Sequence, residues 1–136
     1  MWTARIEAVR ANGLASIADG VLERWLSAKF RQARPVDLAG YRNMLTRNPA
    51  EGYIGTCATL RDTNLTSIAS RLTQPTLCLV GEADGATPPA LVQSLSALIP
   101  NAAFATIPNA GHLPCIEQPA LLSSQIESFV RRSWRA

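Results

Sequence analysis

The feature that most constrains this chain is the run TLCLVG at residues 76–81, which follows Pro75 and closes on glycine. It is short, apolar and partly β-branched, with no alternation of polar and apolar positions. That pattern suits a strand buried on both faces, as in a parallel sheet. The stretch GEADGATPP comes next and is turn-rich, and Pro88 and Pro89 open a predicted helix with apolar positions Leu91, Leu95, Leu98 and Ile99. Pro100 ends it. AAFATIP then reads as a second short strand, NAGH as a turn, and Glu117 to Arg132 as a helix with Leu121, Leu122, Ile126, Phe129 and Val130 directed inward. The order strand, helix, strand, helix predicts a right-handed parallel crossover.

Upstream of Gln74 and Pro75 the patterning is helical. Ile6 and Val9, then Val21, Leu22, Trp25, Leu26 and Phe30, recur at helical spacing, with Gly13, Gly20 and Pro35 as punctuation. A further helix is predicted through Asp37 to Leu45. Another runs from Pro49 or Ala50 to Leu60, with Asn48 as its N-terminal cap, and residues 65–72 add a turn or two. The chain therefore divides into a helical region, 1–74, and a β-α-β-α region, 75–136.

Composition adds mainly exclusions. With 47% hydrophobic and 17% charged residues the chain is neither collagen-like nor disordered. The net charge of +3 is spread from Arg5 to Arg135 without a basic block, so nucleic acid and membrane surfaces are not expected partners. Cys57, Cys78 and Cys115 are odd in number and match no zinc or redox spacing, and there is one histidine, so no structural metal site is expected. The cysteine usage, together with an N-terminus lacking a signal-like apolar core, points to a reducing, cytoplasmic compartment.

Asp84 and His112 are the residues that suggest chemistry. Each follows a predicted strand, and strands paired side by side in parallel lie about 4.8 Å apart, so both loops would stand over one edge of the sheet. Open α/β sheets bind ligands at that edge. A carboxylate beside an imidazole can fix the ring tautomer and stabilise the imidazolium formed during proton transfer. An aspartate followed by a histidine also suits the last two members of the order Ser, Asp or Glu, His in α/β-hydrolases.

PTLCLVGEADGATPP followed by IPNAGHLPCIEQP resembles the end of α/β-hydrolases, and the chain as a whole resembles the 3-oxoadipate enol-lactonases of aromatic catabolism. WTARIEAVRANGL, VLERWLSAKF and NPAEGYIGTCATLRD resemble the lid region of that group. The resemblance implies a partial α/β-hydrolase fold: a helical lid over 1–74, then two parallel β/α units. It implies Asp84 as triad acid, His112 as triad base, a small lactone or ester as substrate in the β-ketoadipate pathway, and no cofactor. Trp25 and Tyr53 become candidates for the pocket wall, and Arg24 or Arg5 for attraction of a substrate carboxylate. Cys115 stands where the group usually has asparagine.

The resemblance supplies no nucleophile, because no G-x-S-x-G pentapeptide occurs in the 136 residues. GTCAT, which contains Cys57, ends in Thr59 where glycine is expected and follows no strand, so Cys57 reads as a buried helix residue. Three expectations follow: the chain corresponds to the C-terminal half of an enzyme, it is inactive alone, and it associates with a complementary N-terminal half or with itself. Two other readings stay open, a non-catalytic helical module derived from a hydrolase, and a related esterase or C–C hydrolase.

Overall fold

The computed structural model describes residues 1–133. Its elements are α1 (Trp2–Asn12), α2 (Ala15–Trp25), α3 (Ala28–Ala33), α4 (Pro35–Thr46), α5 (Ala50–Asp62), α6 (Thr66–Ala69), β1 (Leu77–Gly81), α7 (Pro89–Leu98), β2 (Ala103–Ile107), α8 (Pro114–Glu117) and α9 (Pro119–Ser133). Residues 134–136, the end of the region read as β-α-β-α, lie outside the described residues. Two compact units result, one of Met1–Glu23 with Arg31–Asn64, the other of Arg24–Phe30 with the chain from Leu65 onward.

In the first unit, Ile6 and Val9 of α1 and Ile54 and Cys57 of α5 sit one helical turn apart and form single stripes, which meet with Leu14 in a buried cluster. Burying each of the aliphatic members contributes about 1.5–3 kcal/mol. Two sequence expectations fail here. Gly20 does not interrupt a helix but lies inside α2, where burial of Ala18, Val21 and Leu22 outweighs a helical cost for glycine of about 1 kcal/mol. Asn48 does not cap α5, which starts after Pro49 without a side-chain cap. Its amide donates to the carbonyls of Met44 (2.8 Å) and Leu45 (3.2 Å), orphan acceptors at the end of α4 that lie within one turn of it.

In the second unit, β1 and β2 pair in parallel, with Leu77 opposite Ala103 and Gly81 opposite Ile107, but the expected burial on both faces is corrected: Leu77 and Leu79 are half-buried and Thr106 is exposed. Cys78 of β1 packs with Ala69 and Ile99, and Leu72, Val92 and Phe104 close around them. The inward assignment for α9 is corrected: none of its residues is buried, and Ile126 and Val130 are exposed. In α7, Leu91, Leu95 and Leu98 also face water, and of the predicted apolar set only Ile99, at the helix end, is buried. Strands about 4.8 Å apart make a two-stranded surface narrower than a helix about 10 Å across, so the apolar stripes overhang it. Among the described residues, no helix is long and apolar enough to cross a membrane.

Candidate active site

Beyond the last paired residues the two strands stay joined through their loops. The Glu82 N–H donates to the Ile107 carbonyl and the Ala83 N–H to that of Ala110, both at 2.9 Å. The approach is close enough that a Cβ on Gly81 would fall 1.9 Å from the Gly111 oxygen. Asn109, at φ 55°, takes the left-handed conformation that turns the chain out of β2, a state asparagine tolerates better than most residues. The parallel register thereby brings Asp84, after β1, beside His112, after β2.

His112 Nδ1 lies 2.8 Å from Asp84 Oδ2. The Asp84 side chain is 3% exposed, and the imidazole 34%. Three further donors fill the carboxylate. Oδ1 accepts from the Ala86 N–H (2.7 Å) and the Thr87 N–H (2.9 Å), an Asx turn, and Oδ2 accepts from the Thr87 hydroxyl (2.8 Å). Burial alone pushes the Asp84 carboxyl up, but the hydrogen bonds from His112, Thr87 and Ala86 outweigh it and hold the group below the ordinary carboxylate value. An ionised acceptor beside Nδ1 selects the tautomer protonated there. Nε2 is then the ring nitrogen left to exchange a proton.

Sequence pattern does not single out Thr87 as a candidate. Its hydroxyl oxygen lies 3.2 Å from His112 Nδ1 as well as on Asp84, and the turn signal D-G-A-T was the available clue. Nor does the pattern single out Glu117 and Ser27. Glu117 accepts from the Gly111 N–H at 2.8 Å and from the N–H and hydroxyl of Ser27, a pairing no local pattern announces.

Of the other candidates, Trp25 lies beside His112, with ring centroids 6.2 Å apart and planes tilted by 31°. Tyr53 belongs to the first unit and packs on the Ile6 cluster. Arg5 lies over the Trp2 ring at 5.0 Å, and Arg24 contributes its carbonyl to the Gly85 N–H at 3.0 Å. Cys57 is buried in its helix, whereas Cys115 is exposed on α8. A cleft of about 520 Å³ lies at the opposite ends of the strands, lined by Ser70, Arg71, Pro75, Pro100, Asn101 and Phe129 among others, and contains none of these candidates. Among the described residues no cluster of His, Cys, Asp or Glu is arranged to hold a metal ion.

No family model matches the chain. It is 32% identical to 3-oxoadipate enol-lactonase 1 of Acinetobacter baylyi over 130 residues, which is 96% of this chain and 48% of that protein. For 3-oxoadipate enol-lactonase 2 of the same organism the identity is 28%, over 96% and 49%. The solved enol-lactonase from Burkholderia xenovorans aligns with a TM-score of 0.90 at 28% identity, covering 96% of this chain and 50% of that one. Over nearly its whole length the chain is similar to one half of enol-lactonase-like α/β-hydrolases. A thermophilic esterase from Thermogutta terrifontis shares the same half-fold, with a TM-score of 0.82, 30% identity, and coverage of 94% and 47%. The half-fold thus spans about half the length of the curated relatives it matches.

Proposed function

We propose that Asp84 and His112 are the acid and base of a hydrolase centre that opens a lactone ring, with 3-oxoadipate enol-lactone as substrate and a serine nucleophile supplied by a complementary N-terminal half. The observation that carries the reading is the 2.8 Å contact between His112 Nδ1 and the buried Asp84 carboxylate at the C-terminal edge of a parallel sheet. The names of the two Acinetobacter relatives support the substrate.

In this mechanism Nε2 of His112 takes the serine proton as the hydroxyl oxygen attacks the lactone carbonyl. The imidazolium so formed is stabilised by Asp84, which stays ionised. Collapse of the tetrahedral intermediate breaks the ring C–O bond, and Nε2 returns the proton to the departing enol oxygen. Water, deprotonated by the same nitrogen, then releases the acid from the serine ester. Trp25 forms an aromatic wall beside the imidazole.

The complementary half is the partner we favour, because each strand has one edge without a strand neighbour among the described residues and α7 and α9 carry exposed apolar side chains. The test is to co-express the chain with the N-terminal half of an enol-lactonase and assay the purified assembly on the enol-lactone and on a simple aryl ester. The assembly is expected to hydrolyse the lactone, and the 136-residue chain alone neither compound. His112→Ala should lower kcat by about 10⁴-fold or more. Full activity in His112→Ala would overturn the reading; cleavage of the ester alone would remove the lactone and leave an esterase. Light scattering that shows the chain pairing with itself instead would remove the proposed partner.

A further inference from the structure

We infer that Glu117 is a positioning residue for His112: its carboxylate locks the segment Arg24–Ser27 across the two loops that bear Asp84 and His112. The inference rests on the acid and base reading above. The segment touches both loops through its backbone. The Arg24 carbonyl accepts from the Gly85 N–H at 3.0 Å, next to Asp84, and the Trp25 carbonyl accepts from the His112 N–H at 2.8 Å. Neither bond involves a side chain, so the spacing of the loops depends on what holds the segment itself in place.

Glu117 does so by filling a gap that only an acceptor suits. Oε1 accepts from the Gly111 N–H at 2.8 Å and from the Ser27 N–H at 3.2 Å, and Oε2 accepts from the same Ser27 N–H at 3.2 Å and from the Ser27 hydroxyl. Ser27 Oγ also accepts from the Phe30 N–H at 3.1 Å, so the serine caps α3 and has its own proton left for the carboxylate. Donors therefore converge on Glu117 from both sides. A carboxylate is acceptor-only, whereas a glutamine would turn an N–H₂ toward one of them, and charge-assisted bonds of this kind are about twice as strong as neutral ones.

Space closes the alternatives. A Cβ on Gly111 would lie 2.5 Å from the Trp25 oxygen and 3.0 Å from both Glu117 Oε1 and Ser27 N. His112 is thus pinned through its own N–H on Trp25 and through the preceding Gly111 N–H on Glu117. Its ring reaches Asp84 from a backbone held at two points. Because Glu117 acts through the loop and not on the reacting atoms, its removal should disturb the imidazole's hydrogen bond before it disturbs the fold.

His112 is the sole histidine of the 136 residues, so ring ¹⁵N and Hδ1 resonances of the whole chain report it without ambiguity. The wild-type chain is expected to show one neutral tautomer, protonated at Nδ1, with a slowly exchanging Hδ1. Glu117→Ala should give a mixture of tautomers and Hδ1 exchange faster by about tenfold or more, the loss of one charge-assisted hydrogen bond. Glu117→Gln and Ser27→Ala should move the same signals less, and Ser27→Thr least. Ile99→Val, a core change away from these loops, is expected to lower the melting temperature and leave the signals alone. The inference is overturned by a folded Glu117→Ala or Glu117→Gln with wild-type ring signals, by Ile99→Val producing the same change, or by a wild-type chain already populating both tautomers. None of these readouts uses hydrolysis, so failure here is distinct from failure of the His112→Ala activity test.

Discussion

At the C-terminal ends of β1 and β2, both oxygens of Asp84 and both of Glu117 are filled by donors, whereas along α7 and α9 the side chains of Leu91, Leu95, Leu98, Ile126 and Val130 stand in water. Both regions belong to one compact unit. The polar region is complete because its partners come from within that unit, residues 24–30 and 81–117. The apolar region is incomplete because covering an amphipathic helix takes more strands than two. Hydrogen bonds are satisfied pairwise by a few groups, while hydrophobic burial scales with area. A half-fold can therefore finish the first and not the second.

The largest expected effect comes from adding a methyl group where the two loops meet. Gly81→Ala places a Cβ against backbone oxygens of Gly111 and Ala110, and should cost about 3 kcal/mol or more of stability in urea unfolding. A loss under about 0.5 kcal/mol would mean that the loops are looser than their hydrogen bonds imply. Thr87→Val is next: it removes the hydroxyl that donates to Asp84 and should cost about 1.5–3 kcal/mol, with Thr87→Ser restoring most of it. Equal stability of the valine and serine variants would remove Thr87 from the network.

Asp84 makes the same comparison through pH. Its folded carboxyl titrates below the ordinary value, so its ionised form adds stability that is whole at neutral pH. That contribution declines as pH falls from about 4, the unfolded value, through the lower folded one. Asp84→Asn should remove this part of the acid dependence, and unchanged melting curves between pH 5 and 2 would contradict it. The smallest effect belongs to the other region. Leu91→Gln or Leu95→Gln should change the stability of the isolated chain by no more than about 0.5 kcal/mol while weakening its binding to the proposed complementary half. A Leu91→Gln chain that binds that half as tightly as wild type would show that α7 does not face it.

How much was legible can be read from individual residues. TLCLVG and AAFATIP mark both strands by their short, largely apolar and partly β-branched character, although only Cys78, Val80, Gly81 and Ile107 of them are buried. Asp84 and His112 stood out because each follows such a run, and parallel register then places their loops on one edge. Gly20 misled because a glycine's helical cost is small beside the burial of its neighbours, and Asn48 because a polar residue between two helices can serve either one. For Ile126 and Val130 periodicity located an apolar stripe correctly but is silent on whether anything lies against it.

What the sequence determined by itself was the alternation of strands and helices after Pro75, the parallel pairing and the likeness to enol-lactonases, all of which are written in short runs and their spacing. Tertiary structure alone decided that Thr87 shares the Asp84 carboxylate, that Trp25 stands beside the imidazole, and that Glu117 binds a serine 90 positions away. The reason is physical: propensity and periodicity act over one or two turns of chain, whereas the partner of a buried charge is whichever donor the completed backbone brings within hydrogen-bond reach.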